Sequence, residues 1–264
     1  MGPPGEHEPA DLPEPQQAAG GAVGVAAASV HWRIGVTLLV LGIPVLYAVA
    51  FQLAGLPFSA GMFGYGALGW YIALLARVPV GLLLKRLRVG DRRASTLLMP
   101  AMSGPAEEVT RCVLVYVVPG ATTFRRAASI GIGWSAVEIV FGIVQGVVAQ
   151  RLLSRTDAKG DEARARLTDV MGDEAMRNAL DPSPAAMCLG ALERVSATSF
   201  HIAMTLLIAR SPYFAILTIP LHSATNLTMM AMVKRCTMAT AEAVFFVYTT
   251  AVLTAAILAQ AMSG

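Results

Sequence analysis

The stretch Ser103-Gly-Pro-Ala-Glu-Glu-Val-Thr-Arg-Cys-Val-Leu-Val-Tyr-Val-Val118 sets two acids and an arginine into an otherwise apolar run. An ionisable side chain near the centre of a bilayer costs at least about 2.5 to 3.5 kcal/mol on insertion scales. If the run is a membrane helix, its charges must face protein or trapped water. Glu107 and Arg111 are four apart, and Glu108 lies three before the same arginine, so helical geometry makes all three neighbours. One acid can then be paired while the other stays available for chemistry.

Composition decides that the run is a membrane helix. Of 264 residues, 55% are hydrophobic and only 14% are charged, far from the balance of a soluble domain. A span needs about 20 mostly apolar residues. That length selects seven segments: Ile34–Leu53, Phe63–Leu84, Thr96–Val118, Ala127–Leu152, Ala185–Ala209, Ser211–Val233 and Met238–Met262. Barrel strands would be about ten residues long with alternating polarity. These segments are long and apolar on all sides, so the expected fold is an all-α, polytopic transmembrane helical bundle of about seven spans.

The first 30 residues differ in kind, with Pro3, Pro4, Pro9, Pro13 and Pro15 among Glu6, Glu8, Asp11 and Glu14. Such a composition buries no core and is expected to be a disordered tail. It is acidic where a secretory signal would be basic, so no cleaved leader is expected. Residues 31–264 then form one transmembrane domain.

Arginine and lysine set the expected orientation. Lys85, Arg86, Arg88, Arg92 and Arg93 follow the second span. Arg151, Arg155, Lys159, Arg164, Arg166 and Arg177 follow the fourth, and Lys234 and Arg235 the sixth. The opposite loops hold Arg125, Arg126 and Arg210. The amino terminus and the three basic loops are therefore expected in the cytoplasm, within a bacterial cytoplasmic membrane. The net charge of +3 is a topology signal, and no basic-aromatic pattern of a nucleic-acid binder is present. The one long loop, 154–184, carries helix formers and a weak apolar stripe at Leu167, Val170 and Met171, with Asp181-Pro-Ser-Pro184 as the start signal of the next span. It reads first as a solvated connector and second as a surface helix. Cys112, Cys188 and Cys236 have no metal-binding spacing and read as small hydrophobes.

Polar residues deep within spans mark the candidate site. The fourth span opens with Gly131-Ile-Gly-Trp-Ser-Ala-Val-Glu138, whose glycines permit close helix approach. The fifth carries Glu193-Arg194 and, seven residues later on nearly the same face, His201. In the sixth, His222 and Asn226 are four apart and face one way. At about 1.5 Å per residue, Glu107, Glu138, His201 and His222 all reach the central layer of the bilayer. A glutamate there can take a proton from water, and imidazoles can orient that water or stabilise an oxyanion. Glu138, His201 and His222 equally suit a zinc ion with an open fourth position. Metal-free and zinc-assisted mechanisms both fit these residues. Asn226 could donate to an oxyanion or hold His222 in one tautomer. Glu193 with Arg194 reads equally as a structural ion pair.

The motifs Gly-Pro-Ala-Glu-Glu-Val-Thr-Arg, Gly-Ile-Gly-Trp-Ser-Ala-Val-Glu, Glu-Arg-Val-Ser-Ala-Thr-Ser-Phe-His and His-Ser-Ala-Thr-Asn follow in this order between Ser103 and Asn226. This ordered set resembles the YhfC family of intramembrane metalloproteases, which is itself similar to the PrsW proteases and to the CAAX prenyl-protease and bacteriocin-processing superfamily. The resemblance implies that Glu107 or Glu108 activates the attacking water and that Arg111 closes the same motif. It also implies that Glu138, His201 and His222 bind water, oxyanion or metal. Asn226 stands where PrsW-like members often have aspartate, which weakens a carboxylate metal ligand there. The implied activity is endoproteolysis of a membrane-embedded or membrane-tethered protein. Two other classes use the same residues: a proton- or ion-coupled transporter or channel, and an inactive membrane scaffold.

Overall fold

A computed structural model describes residues 16–86 and 92–262, and helix is the only regular structure among them. The order is α1 (Gln16–Leu53), α2 (Ala60–Arg86), α3 (Arg92–Val117), α4 (Phe124–Leu153), α5 (Ala158–Met171), α6 (Asp173–Leu180), α7 (Pro184–Arg210), α8 (Ala215–Arg235) and α9 (Met238–Ala261). A short 3-10 turn, Pro212–Phe214, leads into α8. The seven predicted spans correspond to α1 to α4 and α7 to α9. Among the described residues, five segments are long and apolar enough to cross a membrane, namely Trp32–Leu53, Ala60–Leu83, Phe124–Leu153, Pro212–Arg235 and Met238–Ala261. The other two predicted spans, α3 and α7, have 26 and 27 residues and so match the rest in length. Their polarity is what sets them apart, because they carry Glu107, Glu108 and Arg111, and Glu193 and Arg194.

Helical backbone begins at Gln16, so it extends into the segment expected to be a disordered tail. The alanine-rich run from Ala18 onward accounts for this, since alanine loses least in a helix. Residues 1–15 of that tail lie outside the described residues. Contacts divide the chain into Met1–Gly35 and Val36–Gly264, and the core and all the site residues belong to the second unit.

The bundle is apolar on its outer surface and has an apolar core with a cluster of polar side chains set into it, and its backbone groups are satisfied within helices as lipid requires. Leu38, Leu46, Leu75, Leu82 and Val247 are exposed, whereas every residue from Thr198 to Ala209 of α7 is buried. α7 is thus the central helix, with α4 and α9 packed along it; α2 lies against α4 and α3, and α3 against α8. Two close approaches fix the site helices. A Cβ on Gly131 would stand 2.6 Å from the Ile202 Cα, so only glycine lets α4 meet α7 at this level. A Cβ on Gly104 would collide with the Ile219 carbonyl and the Ser223 hydroxyl, which brings α3 equally close to α8. Next in the chain, Pro105 lacks an N–H and cannot serve the Ala101 carbonyl one turn back; Ser223 Oγ donates to that oxygen instead, at 2.7 Å. This seam faces His222 toward the acids of α3.

The long loop folds as α5 and α6, a connector that is helical and largely exposed. α5 packs on α4 and α8, and α6 on α4. Asp157 caps α5 by accepting from the Gly160 N–H at 3.2 Å. Ser183 caps α7 and Pro184 is its first residue, as the Asp181-Pro-Ser-Pro184 signal predicts.

Candidate active site

Glu108 and Arg111 are completely buried, so their charges must be answered locally. One guanidinium nitrogen of Arg111, Nη1, donates to both Glu108 oxygens, at 2.7 and 3.0 Å. The other, Nη2, donates to His201 Nδ1 at 3.0 Å, and the guanidinium carbon sits 4.4 Å from the Trp134 ring centroid. Glu108 Oε1 also accepts from His222 Nδ1 at 2.6 Å. These contacts tie α3, α7 and α8 together and fix both imidazoles. A neutral His222 spends its one ring proton, on Nδ1, on Glu108, which leaves Nε2 with a lone pair. Arg111 can only donate, so Nδ1 of His201 accepts and the Nε2 of its neutral ring carries the proton.

Glu107 faces the other way, into a cavity of about 450 Å³ that Glu138, His201, His222 and Asn226 also line. Its Oε1 is ion-paired with Arg77 of α2, and its Oε2 accepts from Trp134 Nε1 at 3.0 Å. His222 Nε2 lies 3.8 Å from that Oε2. Across the cavity, His201 Nε2 is 2.6 Å from Glu138 Oε2, which also accepts from Trp70 Nε1 at 3.3 Å. Arg194 is ion-paired with Glu193 and approaches Glu138 Oε1 to 3.9 Å. Four helices, α3, α4, α7 and α8, thus bring Glu107, Glu138, His201 and His222 to one place, as their common depth predicts.

The donor set fits a divalent cation of the zinc class. Ligand atoms of Glu107, Glu138 and His201 lie within 4.8 Å of one another. The free Nε2 of His222 has a carboxylate behind its other nitrogen, the arrangement that readies an imidazole for a metal. His201 would have to shift its proton to Nδ1, and so release Arg111, before its Nε2 could act as a ligand.

Several expectations need correction. Glu108 is the partner of Arg111 and Glu107 is the acid in the cavity, yet Glu107 is not unpaired, because Arg77 holds it. Asn226 lines the cavity, but its amide donates to Ser103 Oγ at 2.5 Å, and Glu108 is what fixes the His222 tautomer. Three contributors were missed by sequence reasoning. Arg77 had a signal, as the one charge inside the second predicted span, and Trp134 lies within a motif already singled out. Trp70, which donates to Glu138 and lines the cavity, had no signal of its own in the sequence.

A many-helix membrane bundle with carboxylates and imidazoles sunk in its interior defines an integral, multi-pass membrane protein with a buried polar centre. The chain belongs to the YhfC intramembrane metalloprotease family, whose profile matches residues 39–249. No curated protein and no solved structure matches it.

Proposed function

We propose that the chain is an intramembrane endopeptidase that hydrolyses peptide bonds of membrane-embedded or membrane-tethered proteins. The observation that carries this reading is the convergence of Glu107, Glu138, His201 and His222 on one buried cavity. Family membership agrees with it. Glu107 is the general base, because it is the member of the acid pair that lines the cavity. Water held between Glu107 and the free Nε2 of His222 gives its proton to the carboxylate as its oxygen attacks the scissile carbonyl, and Glu107 returns that proton to the leaving nitrogen. Glu108 and Arg111 are positioning residues that act through the two imidazoles. Glu138 and His201 form the facing wall and Asn226 lines the cavity beside His222, with Glu193 and Arg194 in support.

A zinc-class cation held by Glu138 and His201, with Glu107 or His222, would polarise the carbonyl and acidify the water. The substrate segment must unwind in the cavity, since a regular helix keeps its carbonyls hydrogen-bonded. The seven long helices, residues 31–264 as one domain, span a bacterial cytoplasmic membrane with the amino terminus and the three basic loops in the cytoplasm.

The test compares native membranes carrying wild type with membranes carrying His222→Ala, scored by mass spectrometry for membrane-protein fragments. Fragments that vanish with the histidine, in a variant that inserts and resists unfolding like wild type, are the expected result. Unchanged fragments together with a lost ion or solute flux would identify a conduction path instead.

A further inference from the structure

Hydrolysis at this site needs more than a base. When water adds to a carbonyl, negative charge builds on the carbonyl oxygen, and the usual largest contribution to catalysis is a preorganised donor aimed at that charge. Three arginines surround the site. Arg111 is fully buried, spent on Glu108 and His201, and absent from the cavity lining. Arg194 is turned to Glu193 and also does not line the cavity. Arg77 lines it, and is the one arginine or lysine that does so among the described residues. Its side chain is 16% exposed, one terminal nitrogen is on Glu107, and its Nε is buried with no hydrogen-bond partner. An arginine carries five N–H donors in a rigid fork, so donors remain after the Glu107 pair is made.

We propose that Arg77 is a catalytic residue whose guanidinium binds the oxyanion formed during peptide hydrolysis; this rests on the endopeptidase reading of the cavity. The water oxygen bonds to the scissile carbon, the water proton passes to Glu107, and the π pair of the C=O bond moves onto its oxygen. Negative charge therefore moves from the Glu107 carboxylate to the carbonyl oxygen beside it, and Arg77 keeps an anionic partner throughout. The intermediate collapses as the C–N bond breaks and the nitrogen takes the proton from Glu107, giving a carboxylic acid and an amine. Arg77 fills this role whether or not a cation is bound, because its charge is fixed in the protein.

The full chain in liposomes, with a membrane-protein fragment pair identified in native membranes as reporter, provides the assay. Arg77→Met is expected to lower kcat about a hundred- to a thousand-fold, with KM changed by no more than about twofold. Guanidinium added to Arg77→Met is expected to restore part of that activity, and ammonium is not. Arg77→Lys, which keeps a cation for Glu107 without the planar fork, is expected to stay impaired and covers the case of a poorly folding Arg77→Met. Full activity in Arg77→Lys would reduce Arg77 to a counterion and overturn the proposal, as would a kcat loss that guanidinium does not touch. A wild type that cleaves nothing would sink the endopeptidase reading and this role with it.

Discussion

Glu107 and Glu108 are adjacent on α3, yet they occupy opposite surroundings. Glu108 sits at the sealed side of the site, with no exposure and three hydrogen bonds from two residues, Arg111 and His222. Glu107 sits at the open side, on the cavity shared with Glu138, whose side chain is 29% exposed. A helix turns about 100° per residue, so two consecutive acids necessarily point to different neighbours. The lesson is a division of labour: the sealed acid builds the site, and the open acid meets the substrate. Both acids are buried, and what separates the roles is that Glu107 lines the cavity and Glu108 does not.

The comparison can be broken hardest at the sealed side. Arg111→Met leaves Glu108 as a buried charge without its cation, and a loss of about 3 to 5 kcal/mol in unfolding free energy is expected. Unfolding of detergent-solubilised protein measures it. Next comes the helix seam beneath both sides. Gly131→Ala puts a methyl 2.6 Å from the Ile202 backbone, next to His201. Overpacking of this kind costs about 1 to 3 kcal/mol, and it should displace His201, so cleavage is expected to fall as stability does.

At the open side the expected effect is smaller. Arg194→Gln removes a partner from side chains that are 25 to 29% exposed, and a loss of about 1 kcal/mol is expected by the same unfolding measurement. The smallest effect lies outside the bundle, at the α5 cap. The hydrogen bond from Arg155 holds the Asp157 carboxyl below its ordinary range, and the Gly160 N–H adds to this. A lowered pKa means that the cap contributes stability above the ordinary carboxylate pKa and loses it as pH falls through the lowered one. Protection of the Gly160 amide, measured against its intrinsic exchange rate at each pH, should therefore hold down to the ordinary carboxylate pKa and fall only below it. Asp157→Ala should remove that dependence.

The helices were legible because lipid demands long apolar runs, and the polar layer was legible because rise per residue converts position into depth. Depth alone cannot say which way a side chain points. Spacing along α3 allowed either acid to pair with Arg111, and the choice rests on how α3 is rotated against α7 and α8. That rotation follows from Gly104 and from the Ser223 hydrogen bond to Ala101, contacts between elements far apart in the chain. Arg77 shows the converse. A single arginine in an apolar span was visible as an anomaly, but its partner on another helix was not. Asn226 was placed on the correct face, and only the fold could show that Ser103 takes its amide.

One paired measurement separates the two acids: cleavage and unfolding of Glu107→Gln beside Glu108→Gln in the same membranes. Glu107→Gln is expected to yield no fragments, because glutamine cannot take the proton, and to lose less stability than Glu108→Gln, because its amide oxygen still accepts from Trp134 or Arg77 while Arg77 is partly exposed. Glu108→Gln is expected to unfold more easily, with cleavage falling alongside. Continued cleavage by Glu107→Gln, or equal destabilisation of the two variants, would contradict the division between an open catalytic acid and a sealed structural one.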